Sequence, residues 1–427
     1  MTSDSIVAPD EAFVWIWLPG AVEPVVAGRL VRESTAYIFN YGRSYLERAD
    51  AIPVYQPELP LRRGALQPEP PLAMAGCLRD GAPDAWGRRV IINRLTGQKG
   101  QAARDVEFDE LTFMLNSGSD RAGGLDFQVS ATQYQPRELG YASLEELLEA
   151  AERVERGEAI PEDLDRALFH GSSIGGARPK ALIDAGTRKF IAKFSATNDT
   201  YAVVKAEFIA MRLAALLGLN VAHVELARAA GKDVLLVERF DRDKTDKGYT
   251  RRLMVSALTL FGLDEMQARH ASYGELADMI RARFTRPQTS LRELFGRLVF
   301  NVLCGNSDDH ARNHAAFWDG KELTLTPAYD LCPQARNGRE ASQAMLIDGD
   351  DRRSRLESCR LAASRFLLGD AEARAIIDQQ VAGIRAAWEQ VCDEAELSAV
   401  DRAFLWRRQF LNDFAFEDYA GGLPAGL

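Results

Sequence analysis

The stretch that decides the fold is 305-GNSDDHARN-313, followed by 325-LTPAYDLCP-333. It comes directly after the apolar run 294-LFGRLVFNVL-303. A buried helix that ends in two acids, a histidine and an asparagine leaves many polar groups in need of partners or an ion. Asp308 and Asn313 stand five apart, and Asp330 follows after a short predicted strand, ELTL. Asp-x-x-x-x-Asn followed by a later Asp is the spacing with which phosphotransfer sites place a hydroxyl-activating acid and two oxygen ligands for Mg²⁺. Magnesium prefers hard oxygen donors and keeps several waters, so one carboxylate and one amide oxygen are a sufficient protein share. Asp309 and His310 are expected to hydrogen-bond the loop backbone. A rival reading takes His310 and His314 as zinc ligands of a hydrolase. That spacing chelates on a helix, whereas HAAFWDG reads as a strand.

The chain upstream supplies what such a site needs. In 170-HGSSIGGARPKALI-183, Gly171, Gly175 and Gly176 precede a strand, and glycines let backbone amides approach phosphate oxygens. The stretch lacks the Walker pattern, and a glycine loop alone is a weak signal beside the commoner reading, a plain hairpin turn. Lys193 lies in the predicted strand KFIAKF, where a half-buried ammonium needs an anion. Glu207, near the start of the predicted helix VVKAEFIAMRLAALLG, is the candidate partner. The alternative is a surface lysine and a first-turn acid favoured by the helix dipole. The strand VLLVERF then runs into Glu238, Phe240 and Asp241. In a two-lobed nucleotide binder a hinge falls here. Its backbone would meet an adenine edge and Asp241 a ribose. The alternative is a strand end with surface charges.

Composition sets the outer limits. The chain has 427 residues, 46% of them hydrophobic, and a net charge of −10. An acidic surface does not favour nucleic acid, because phosphate binding rests on clustered Lys and Arg. The basic segment 351-DRRSRLESCR-360 reads as a solvated helix face. Five scattered cysteines without a CxxC pair suit a reducing cytoplasm rather than a disulfide framework. We expect no signal peptide and no membrane span. The capping box Ser143/Glu146 opens a helix that links an N-terminal region to the segment carrying the glycines.

Taken in order, these pieces resemble the HipA family, the serine/threonine kinase toxins of type II toxin–antitoxin modules. SSIGGARPKAL, KFIAKF, VVKAEF, LLVERFDR, GNSDDHARN and LTPAYDL are similar to its successive motifs. ELPLRRG, RDGAPDAWGRRVI and SDRAGGLDF resemble its N-terminal region. GAPDAWGRR departs from the commoner leucine-rich form, and residues 251–280 lack the family's HQED-like stretch.

The resemblance implies an α+β, protein-kinase-like bilobal fold. Its parts would be an N-terminal subdomain (1–140), an N-lobe with a glycine loop (141–240) and a helical C-lobe (241–427). It implies an ATP- and Mg²⁺-dependent kinase. Asp308 would activate the hydroxyl, and Asn313 and Asp330 would hold the metal. Lys193, Ser173, Gly175, Gly176, Lys180, Glu238, Phe240, Asp241 and His310 would contact ATP, with Glu207 supporting Lys193. Ser173, or its neighbour Ser172, would be the autophosphorylated residue that silences the enzyme. The implied partner is a small helix-turn-helix antitoxin (HipB-like) that brings DNA only indirectly. The implied substrate is a protein, such as an aminoacyl-tRNA synthetase or another translation component. Two alternatives stay open: a kinase-like scaffold that docks a partner, and a small-molecule kinase.

Overall fold

A computed structural model describes residues 8–96, 108–137, 142–156, 158, 176, 178–196, 199–336 and 338–420. Ser172, Ser173, Gly171 and Gly175 lie outside the described residues, and so do the expectations that rest on them.

The chain begins with an antiparallel sheet in the order β3-β2-β1-β4. Its strands are β1 (Glu11–Ile16), β2 (Val25–Glu33), β3 (Ala36–Tyr41) and β4 (Leu125–Gln128). Helix α1 (Ala85–Thr96) leaves this region and helix α2 (Leu144–Arg156) follows it. The predicted capping box is formed: Ser143 N donates to Glu146 at 2.7 Å, and Glu146 N to Ser143 Oγ at 3.2 Å.

The second sheet has the order β5-β6-β8-β7, all neighbours antiparallel. It comprises β5 (Lys180–Asp184), β6 (Lys189–Phe194), β7 (Val224–Ala229) and β8 (Lys232–Glu238). Strict alternation along β6 decides its two faces. Phe190, Ala192 and Phe194 are buried, while Lys189, Ile191 and Lys193 are only partly covered. Ala192 and Phe194 join Trp86 and Val90 of α1 and Leu147, Leu148, Ala151 and Val154 of α2 in one core. Helix α3 (Val203–Leu216) carries a long buried face that includes Glu207.

After the hairpin β9 (Arg242–Thr245) and β10 (Gly248–Arg251), strand β11 (Leu253–Ser256) pairs with β12 (Ala315–Trp318). β12 also pairs with β13 (Leu323–Leu325). The rest is helical, built on α4 (Tyr273–Arg283), α5 (Pro287–Cys304) and α6 (Asp370–Glu394). This is the mixed α/β, kinase-like bilobal architecture that the sequence resemblance implied.

Helix α5 is buried along its whole second half and ends at Gly305. Gly305 has φ +73°, and a Cβ there would lie 2.7 Å from the Gln409 carbonyl. Only glycine meets both conditions, so the helix stops where the polar loop begins.

A buried ion network ties the N-terminal region to the end of β8. Asp241 accepts from Arg239 at 2.8 Å, from Arg242 at 2.9 Å and from the Gly123 N–H at 2.7 Å. Asp120 pairs with the same two arginines, at 3.0 and 2.9 Å. The expected ribose contact of Asp241 is therefore corrected: its carboxylate is buried and spent on two arginines and a backbone amide. Sequence reading offered it a ribose because one of its partners, the Gly123 N–H, lies 118 residues away and leaves no local trace.

Burial alone would raise the Asp241 carboxyl, but Arg239 and Arg242 outweigh it and hold the group at about 2. An unfolded Asp titrates near 4, so this stabilisation is fully present above pH ~4 and is lost as pH falls toward 2. The loss is on the order of 2 kcal/mol from this group. Urea midpoints measured from pH 5 to pH 2 should fall across that window. Asp241→Asn should start less stable and lose less on acidification.

Candidate functional site

The site is built on the face of the second sheet opposite its apolar core. The register sets Lys180 of β5 directly across from Lys193 of β6. Directly opposed residues on antiparallel strands share one face, and like charges placed this way repel. Each ammonium is met by carboxylates from elsewhere. Lys193 Nζ lies 2.5 Å from Glu207 of α3 and 2.5 Å from Asp330 of the C-lobe. Lys180 Nζ lies 3.3 Å from Asp84 of the N-terminal region.

The electrostatics follow from that placement. Burial opposes charge on Lys193, but Asp330 and Glu207 overcome it and raise its pKa. Burial likewise works against Asp330, yet Lys193 holds its carboxyl at about 2. Glu207 is buried more deeply, and there burial wins over Lys193 and raises it. Asp330 adopts φ +60°, a left-handed conformation that Asp tolerates better than most residues. Such strain is a mark of sites whose surroundings over-determine them.

The loop 305–314 follows α5 and closes on Asp330. Asn306 donates to the Asn301 side chain at 3.0 Å and to the Asp330 carbonyl at 3.4 Å. Asp308 is exposed at the loop surface. Partial desolvation raises its carboxyl, with Asp330 and Asp309 adding to the rise and His310 opposing it. Asn313, in the turn Ala311–Asn313, donates its Nδ2 to the Asp308 carbonyl at 3.4 Å. Its Oδ1 accepts no hydrogen bond among the described residues. Lys193, Glu207 and Asp330 are thus joined directly, while Asp308 is tied to Asn313 through its carbonyl and feels the Asp330 charge.

Asp309 requires a correction. Its carboxylate is not bound to the loop backbone. It accepts from the Tyr273 hydroxyl, from Asn301 Nδ2 at 2.8 Å and from His314 Nε2 at 2.8 Å. These partners come from α4, α5 and the start of β12. Such a buried acceptor pins three elements beneath the exposed Asp308. The zinc alternative is corrected as well, because His310 and His314 flank a short turn that runs into β12 and do not share an α-helix face. Among the described residues no three His, Cys, Asp or Glu side chains could hold a metal. An asparagine oxygen and the Asp330 carboxylate still suit a hard cation that takes its other ligands from water and phosphate.

At the hinge, Glu238 N donates to the His223 carbonyl at 2.8 Å. The Phe240 N–H meets no acceptor among the described residues. Its ring packs against Phe317 and Tyr329, at 5.9 and 5.7 Å between centroids. A shallow hollow of about 620 Å³, lined by Trp388, Trp406, Arg385 and Arg402 among others, includes none of these residues. Asp84, Asn301 and Tyr273 were not anticipated as contributors. Asn301 and Arg297, four apart in an otherwise apolar run, were the readable signal.

A model of the HipA-like C-terminal domain matches residues 172–388, just over half of the chain. The chain belongs to the HipA family. The serine/threonine-protein kinase toxin HipA of Shewanella oneidensis is 26% identical over 317 residues, 67% of this chain and 69% of that one. Y4mE of Sinorhizobium fredii is 32% identical over 146 residues, a match spanning only 33% of either chain. The solved structure of Shewanella oneidensis HipA with HipB and operator DNA superposes with a TM-score of 0.66. It covers 95% of this chain and 99% of that one at 19% identity, a likeness of fold. No helix of the described residues is long and apolar enough to cross a membrane.

Asp309→Ala should leave the Tyr273 hydroxyl, Asn301 and His314 without their shared acceptor. The expected cost is about 3 kcal/mol, read from chemical denaturation. A loss below about 1 kcal/mol would show that the loop does not depend on this carboxylate.

Proposed function

We propose that the chain is an ATP- and Mg²⁺-dependent protein serine/threonine kinase that acts as the toxin of a two-component toxin–antitoxin module. The observation that carries the reading is Lys193, bridged at once to Glu207 of α3 and Asp330 of the opposite lobe. Phosphotransfer sites use such a lysine, fixed by a helix glutamate, to orient nucleotide phosphates.

In this reading the target hydroxyl attacks the γ-phosphorus of ATP. An O–P bond forms, the bond to the β,γ-bridging oxygen breaks, and ADP leaves. Asp308 accepts the hydroxyl proton, a role that its raised pKa and exposure favour. Lys193 and Lys180 draw the phosphates against β5 and β6. Bound Mg²⁺, taken by Asn313 Oδ1 and Asp330, would neutralise charge on the phosphates. The backbone at Glu238 and Phe240 would meet the adenine edge, and His310 would stand beside the phosphates.

Ser173, or Ser172 next to it, is the proposed autophosphorylation site. A phosphate there would compete with ATP phosphates for the same cations and so silence the enzyme. The proposed partner is a small helix-turn-helix antitoxin, which would provide the DNA contacts that an acidic chain does not favour. The proposed target is a translation component, and the proposed compartment is the cytoplasm.

Purified protein incubated with γ-labelled ATP and Mg²⁺ should label itself. Asp308→Ala should lower the rate by about 10²-fold or more, and Lys193→Met should raise KM for ATP. Expression of the wild type should arrest growth, and expression of Asp308→Ala should not. Labelling that survives Asp308→Ala would overturn the reading. Absence of any thermal stabilisation by ATP with Mg²⁺ would favour the scaffold alternative instead.

A further inference from the structure

The motif 79-RDGAPDAWGRRVI-91 has no role in the chemistry so far, yet it reaches the phosphate side of the site. Asp84 caps the first turn of α1: its Oδ1 accepts from the Gly87 N–H at 2.9 Å. Its other oxygen, Oδ2, lies 3.3 Å from Lys180 Nζ, and the two side chains are only 6% and 3% exposed. Two residues on, Trp86 donates its indole Nε1 to the Lys180 carbonyl at 3.2 Å. The Trp86 N–H donates to the Gly176 carbonyl at 3.4 Å. Gly176 has φ +113° and runs so close over the ammonium that a Cβ would sit 2.2 Å from Lys180 Nζ. One turn of the N-terminal region therefore grips both Lys180 and the residue that closes over it.

We propose that Asp84 is a positioning residue for the nucleotide triphosphate: it fixes Lys180 and Gly176 in place beside Lys193, so that the N-terminal region completes the phosphate subsite. This rests on the kinase reading above. The physical need is plain. Lys180 is buried directly opposite a second ammonium, and both circumstances disfavour its charge. Asp84 meets the Lys180 ammonium at 3.3 Å and is held by its own cap bond to α1. Without it, Lys180 would lose a buried counter-charge that fixes the position of its ammonium.

The test uses the full chain and calorimetric binding of two probes, MgATP and adenosine. Adenosine depends on the hinge alone, while MgATP also depends on the phosphate subsite. Asp84→Asn should weaken MgATP by about tenfold or more, the scale of one lost charged contact, and leave adenosine within about twofold. Lys180→Met should do the same, and the double variant should be no worse than either single one, as expected of one shared contact. Asp84→Glu should recover part of the affinity. In turnover, Asp84→Asn should raise KM for ATP far more than it lowers kcat. If Asp84→Asn does not fold, Trp86→Phe, which removes only the indole bond, should weaken MgATP selectively by a few-fold. A folded Asp84→Asn protein with unchanged MgATP affinity, or with both probes weakened alike, would overturn the proposal. A wild type that binds neither probe would instead remove the kinase reading on which it rests.

Discussion

Two ammonium groups set directly opposite one another on adjacent strands form the constraint that organises this molecule. Lys180 and Lys193 repel across β5 and β6, and the sheet tolerates them because carboxylates arrive from three places. Asp84 comes from the N-terminal region, Glu207 from α3 and Asp330 from the C-lobe. A surface pair of lysines would simply splay into water. These two are held on a covered face, where charge must be matched. Each partner comes from a different part of the chain, so matching them also fixes how those parts sit around the site. Two ammonium groups already face three carboxylates, so a triphosphate bound here, as in the proposed reading, would have to bring its own cation.

The second ion network works in the same way. Arg239 and Arg242, with Asp120 and Asp241, surround the segment whose backbone faces the adenine position in the proposed reading. The groups are buried and mutually satisfied, so they contribute geometry rather than reactivity. Together with the Phe240 ring against Phe317 and Tyr329, they hold the strand end between the two lobes. Beneath Asp308, the Asp309–Tyr273–Asn301–His314 cluster does the corresponding job for the loop. Each exposed, chemically useful group thus stands on a buried polar one.

Much of this was legible before any coordinates. The strand KFIAKF with its half-buried lysine, the capping box at Ser143 and the Asp-x-x-x-x-Asn spacing are local signals, and each has a local physical cause. The same reading went astray at Asp241 and Asp309. Both are acids in polar stretches, where a sequence offers no way to tell a ligand contact from a buried hydrogen-bond acceptor. The difference lies in partners such as Gly123 and Tyr273, which are distant in the chain.

By itself the sequence determined the order of elements, the two faces of β6, the loop spacing and the family, because these depend on neighbours within one or two turns. Only the tertiary structure decided which acid answers which base. Salt-bridge partners 96 and 137 residues apart, as for Asp84 with Lys180 and Lys193 with Asp330, are selected by packing and not by local pattern. Charge matching acts over a few ångströms of space, and the chain's own order says nothing about that distance until it has folded.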